Sequence, residues 1–254
     1  MSTELVLLVS DLFIPLRNPD IDSQFREIIL PNKIQHVICL GNIGNQETYN
    51  WLSSLSSDFH AIKGDYDINK KLPDKKVIQI GNFRIGMIHG HQIIPMGDLE
   101  ILSNIQRELD CDILASGYTH KLSINTKDNK LYLNPGSITG ALSPLLENSI
   151  PSFILMALNG EEVTIYSYVL SDNCQKFEVG QIEYSRGSDE LKIVKPVGED
   201  NISNENINNE NKENEEKNIK ENEEILEEKN TNIINQNQNN EVKEAENKDE
   251  KIDE

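Results

Sequence analysis

The chain is short of cysteine, of basic residues and of long apolar runs, and each shortage removes a class of protein. Three cysteines in 254 residues, Cys39, Cys111 and Cys174, are too few and too scattered for a disulfide framework or a cysteine-built zinc cluster. Cys39 and Cys111 lie in or beside apolar runs and read as core thiols. Lysine and arginine number 24 against 43 acidic residues, a formal net charge of −19. Nucleic acid is held by clustered positive charge, so it is not an expected partner. Lys70, Lys71, Lys75 and Lys76 make only a small patch, read as a solvated strand edge. No apolar run approaches the ~20 residues that span a bilayer, and Met1-Ser2-Thr3-Glu4 lacks the basic region of a signal peptide. The expectation is a cytosolic protein.

The shortages are not evenly spread. Residues 199–254 hold 19 acidic and 7 basic residues, 16 asparagines and no aromatic residue. Such a segment cannot bury enough apolar surface to offset the entropy of ordering it. A disordered Asn/Glu/Lys-rich acidic tail is therefore expected over 187–254, with at most a short helical attempt at 221–229. It reads as a solvated extension, or as a segment that repels anionic membrane or recruits a basic partner. Residues 1–186 carry the domain and suffice for a full core.

Within that domain the apolar runs are short and regularly spaced. Leu5–Val9 is continuously apolar, as a strand buried on both faces should be. Helical spacing over Asp22–Leu30 follows, then a strand over Ile34–Leu40, a helix over Gln46–Leu55 and a strand over Phe59–Ile62. This rhythm implies parallel strands with right-handed crossovers. Lys76–Ile80 and Phe83–Ile88 form a hairpin on Gly81-Asn82, and Leu99–Leu109 reads as a helix. Cys111–Ala115, Leu122–Asn125, Leu131–Leu133, Phe153–Leu158, Val163–Leu170 and Phe177–Tyr184 complete the strands. The fold class is mixed α/β, and a four-layer αββα sandwich fits this count best.

Each strand of the first half ends in a polar residue: Asp11, Asn42, Asp65, His89 with His91, and His120. Carboxylates, an amide oxygen and imidazoles suit paired divalent ions. Their order resembles the calcineurin-like metallophosphoesterases, whose Asp-x-His, Gly-Asp, Gly-Asn-His-Asp, strand-end His and Gly-His-x-His appear here as Asp11-Leu12-Phe13, Gly41-Asn42, Gly64-Asp65-Tyr66-Asp67, His89 and Gly117-Tyr118-Thr119-His120. Longer runs such as Ile88-His89-Gly90-His91-Gln92-Ile93-Ile94-Pro95 and Asn134-Pro135-Gly136-Ser137 resemble one branch of it, the phosphoesterase-fold subunits of the retromer sorting complex.

The resemblance implies a damaged two-metal site. Phe13 and Tyr118 stand where two histidine ligands belong, Asn42 where the bridging carboxylate belongs, and Tyr66 where the catalytic histidine belongs. A phenol with an ordinary pKa of ~10 is a poor acid at neutral pH, and an uncharged amide bridges two cations badly. The expectation is no enzyme and no cofactor, with Asn42, Asp65 and His89 as residual ligands for a weak zinc or manganese ion. The rival expectation is a weak metal-dependent phosphoesterase. The resemblance further implies that the pocket rim docks on an α-solenoid subunit through Ile93, Ile94, Pro95 and Met96, with the remaining core subunit reached through the solenoid. A second apolar patch, Leu155, Tyr166 and Tyr168, is implied for a sorting nexin or a GTPase-activating protein. Positions 166 and 168 share one strand face, which fits such a surface or ordinary packing under a helix.

Overall fold

In the computed structural model the residues described are 3–30, 33–67, 71–143, 146, 149–170 and 177–196. β1 (Glu4–Val9), β2 (His36–Cys39) and β3 (Asp58–Ala61) run parallel. α1 (Ser23–Ile29) and α2 (Gln46–Ser54) cross between them. β9 (Ser152–Asn159) pairs antiparallel on the free side of β1 and continues into a meander of β10 (Glu162–Leu170), β11 (Phe177–Ser185) and β12 (Leu191–Lys195). Together they make a seven-stranded sheet in the order β12-β11-β10-β9-β1-β2-β3. The second sheet has five strands in the order β4 (Lys75–Ile80), β5 (Phe83–Ile88), β6 (Ile113–Ser116), β8 (Lys130–Pro135) and β7 (Leu122–Lys127), with α3 (Leu99–Leu109) between β5 and β6.

The two sheets face each other. β1 shows why its sequence is apolar throughout. Val6 and Leu8 point into the inter-sheet core with Ile38, Ile85, Met87, Ile113 and Ile154, while Leu7 and Val9 point outward against Phe25, Ile29 and Leu52 of the helices. α3 covers the far side of the second sheet through Leu102, against Ile88, Leu114 and Tyr132. Helix, sheet, sheet, helix is the αββα sandwich the sequence implies. The helix starts are set chemically: Asp22, Asn45 and Asp98 each accept a backbone N–H of the first turn.

The expected domain end at residue 186 is too early. β12 pairs with β11, and Leu191 packs against the inter-sheet core. Arg186 and Asp189 pin the β11–β12 connection to Asp112, Thr126 and Asn129 of the second sheet. Five residues flanked by charges carry little periodic signal, so only pairing with β11 makes them a strand. The helical attempt at 221–229 and Cys174 lie outside the described residues. Cys39 and Cys111 are buried, and burial pushes both thiols up, Cys111 to about 11. Of the lysine patch, Lys75 pairs with Glu108 and Lys76 donates to His60 Nδ1 at 2.9 Å. Among the described residues no helix is long and apolar enough to cross a membrane.

Candidate functional site

Strand ends from both sheets deliver Asp11, Asn42, Asp65, His89 and His120 to one rim. The backbone there is forced. Asp11, Phe13, Asn42, Tyr118 and His120 all have φ between 50° and 71°, a region non-glycine residues enter at a cost of roughly 1 kcal/mol each. Hydrogen bonds hold them in place. Asp67 accepts from the backbone N–H groups of Asn42, Ile43 and Gly64 at 2.7 to 2.9 Å. Asp11 accepts from Tyr118 N and Ser10 Oγ. Ser137 Oγ and Thr139 Oγ1 donate to the carbonyls of Asp11 and Leu12. The strand ends approach so closely that a Cβ on Gly64 would lie 2.2 Å from Asn42 Oδ1, and one on Gly117 2.1 Å from Ser10 Oγ.

Asn42 occupies the centre. Its Nδ2 stands 3.1 Å from Asp11 Oδ1, 2.9 Å from Asp65 Oδ1 and 3.0 Å from His89 Nε2. Its Oδ1 accepts from Tyr66 N at 3.0 Å. Flipping the amide would set oxygen against two carboxylates and N–H against N–H, so the network fixes its orientation. His89 is fully buried and its Nδ1 donates to Leu40 O at 2.6 Å; His120 Nδ1 donates likewise to Ala141 O at 2.6 Å. Both Nε2 atoms therefore face the centre, 3.8 and 3.6 Å from Asp11 Oδ1.

Burial works against the charged form of His89, but the Asp65 hydrogen bond and the Asp11 charge outweigh it and raise its pKa. Burial likewise raises Asp65, and the His89 and Asn42 hydrogen bonds bring it down to about 2. With Asn42 Nδ2 beside both carboxylates and His89 Nε2 3.2 Å from Asp65 Oδ1, the acidic groups of the cluster are partnered by protein groups. His91 sits 5.3 Å, ring to ring, from His89. Its Nδ1 is buried without a partner among the described residues, and burial together with the His89 charge holds its pKa down.

The donors present do not fit a two-ion centre. Where a shared anionic oxygen is required, Asn42 presents N–H groups. Phe13 is buried with its ring 5.6 Å from that of His120, and Tyr118 stacks edge-on to His89 at 5.6 Å. Among the described residues no group of three or more His, Cys, Asp or Glu side chains is placed to hold a metal ion. Every pocket residue expected from the sequence is at the rim. Asp67, Ser10 and Ser137, which shape it, had no assigned role, because their bonds span up to 126 residues of chain.

The expected partner loop divides. Ile94 is 82% exposed and Pro95 is exposed, whereas Ile93 is 1% exposed and packs under α3, and Met96 is half-buried. Ile93 therefore leaves the docking set, since its side chain belongs to the core. In the second patch Leu155 is also buried, directly across from Tyr166, so it forms the floor and not the surface. Tyr166 and Tyr168 are half-buried; Tyr168 stacks on Phe153 at 4.6 Å, with Phe177 6.0 Å away.

A two-sheet sandwich with these residues on its rim defines a phosphoesterase-fold protein, and residues 5–160 match the calcineurin-like phosphoesterase superfamily domain. Within that superfamily the chain belongs to the vacuolar protein sorting 29 family, the phosphoesterase-fold subunits of retromer. It is 37% identical over 186 residues to vacuolar protein sorting-associated protein 29 of Schizosaccharomyces pombe, covering 72% of this chain and 98% of that one. The Cryptosporidium parvum family structure is 41% identical and superimposes with a TM-score of 0.68, covering 72% and 99% of the two chains. The wild-type Entamoeba histolytica protein, solved as a complex with zinc, is 45% identical with a TM-score of 0.67, covering 70% and 98%.

Proposed function

We propose that the chain is a non-catalytic scaffold subunit of the retromer cargo-sorting complex in endosome-to-Golgi transport. It works by docking its degenerate pocket rim on the α-solenoid subunit. The observation that carries this reading is the rim itself. Four loops each put one large apolar side chain into water there: Leu16 at 69%, Tyr66 at 54%, Ile94 at 82% and Leu142 at 68% exposure. Apolar groups gathered on otherwise polar loops mark a contact surface, and the centre beneath them is closed by Asn42. In this reading the remaining core subunit is reached through the solenoid. Tyr166 and Tyr168, with Phe177, offer a second surface to a sorting nexin or GTPase-activating protein. The protein is cytoplasmic and peripheral on endosomal membranes. Ile94→Asp is expected to lower affinity for the purified solenoid subunit at least ~100-fold with an unchanged melting temperature. Undiminished binding in titration calorimetry would overturn the docking assignment.

A second reading, a weak metal-dependent phosphoesterase, is favoured by the inward-facing Nε2 atoms of His89 and His120 and by the zinc complex of the Entamoeba relative. Asn42, Asp65 and His89 would then hold a single ion. Hydrolysis of a generic phosphodiester with zinc or manganese, lost in Asp65→Ala, would replace the scaffold-only reading.

A further inference from the structure

The rim carries one cation in an unusual setting. Arg17 lies in the turn after β1, and its guanidinium carbon lies 3.9 Å over the Phe13 ring and 5.2 Å from the Tyr66 ring. Its Nη1 donates to Leu142 O at 2.7 Å. One face is therefore stacked and one edge tied, which fixes the fork before anything binds. The other four arginines each pair with carboxylates: Arg26 with Asp20, Arg84 with Asp110, Arg107 with Asp128, and Arg186 with Asp112 and Glu161. Arg17 has no such partner among the described residues, in a chain where acids outnumber bases 43 to 24. The Phe13 ring lies against both Arg17 and His120, so an apolar slab stands between this charge and the pocket. Around it are Leu16, its chain neighbour; Tyr66, within ring contact; and Leu142, whose carbonyl it holds.

An oriented, half-buried arginine inside a ring of apolar side chains has the composition of a binding hot spot. Its remaining N–H groups can engage both oxygens of a carboxylate. We propose that Arg17 is the charge anchor of the docking surface. It receives an Asp or Glu side chain that the partner protein presents between apolar residues of its own. This rests on the docking reading above, and it adds which chemistry the partner must supply. Phe13 then has a purpose beyond filling the lost ligand position: it is the platform that aims Arg17.

The test uses the full chain and the purified solenoid subunit in titration calorimetry, with melting temperatures as the folding control. Arg17→Met keeps the stem and its packing; it should weaken binding at least ~30-fold and flatten the dependence of affinity on salt. Arg17→Lys keeps the charge but loses the fork and should weaken binding by less, about tenfold. If Ile94→Asp abolishes binding while Arg17→Met and Arg17→Lys bind as wild type, docking stands and the anchor is refuted. If Ile94→Asp also binds normally, the docking reading falls first. Stabilisation by inorganic phosphate that Arg17→Met removes, without any change in partner affinity, would assign a small-anion site and refute the carboxylate.

Discussion

Asn42 differs from an aspartate by an amino group in place of an oxygen, and that group decides what the pocket holds. Its N–H groups reach Asp11 and Asp65, and His89 Nε2 lies 3.2 Å from Asp65 Oδ1. Asn42→Asp would set three carboxylates around one imidazole. The variant is expected to lose ~2–4 kcal/mol in metal-free buffer and to regain melting temperature with zinc far more than the wild type does, which differential scanning fluorimetry would read. Asn42, Phe13, Tyr66 and Tyr118 could each be read in the sequence as departures from the family pattern. Arg17 could not, because its meaning comes from Phe13, Tyr66 and Leu142, which lie up to 125 residues away in the chain.

α3 ends on Asp110, which is left-handed (φ 49°) and almost fully exposed. Glycine is favoured at such a helix end, and a negative charge there opposes the helix dipole. Its contact with Arg84 at 3.6 Å is a surface pair of small value. Asp110→Gly should therefore stabilise the protein by about 0.5–1 kcal/mol, seen as a higher urea midpoint with an unchanged slope. α3 itself was legible near Leu99–Leu109 from its apolar spacing. Ile93 was not: in the run Ile93-Ile94-Pro95-Met96 every member looks alike, and only packing under α3 turns the first inward and leaves the second in water.

On the scale of the molecule the two sheets are joined at opposite ends by different means. At the rim the join is the Asn42 network. At the other end it is Asp112, which accepts from Arg84 N and Lys130 Nζ in its own sheet and from Arg186 Nη2 of the other, at 3.1, 2.9 and 2.9 Å. Burial raises its pKa, but these partners outweigh burial and leave it below the ordinary 3.8. A depressed carboxylate contributes stability above its unfolded pKa and loses it as pH falls through the folded value. Asp112→Asn should thus cost roughly 1–3 kcal/mol at pH 7, its two cations being about a third exposed. The gap from wild type should narrow below pH ~4; urea titrations at pH 7 and pH 3 would check it.

The sequence alone determined the layers, the helices, the strand ends that meet at the pocket and which residues depart there from the family pattern. These follow from local periodicity and from which side chain occupies each strand end. Tertiary structure decided the rest: that the Asn42 amino group sits at the centre of the pocket, that β12 extends the sheet past residue 186, that Ile93 and Leu155 are core, and that Arg17 stands oriented with no acidic partner among the described residues. Each depends on groups brought together from distant chain positions, where burial and hydrogen-bond geometry, not residue type, set the outcome.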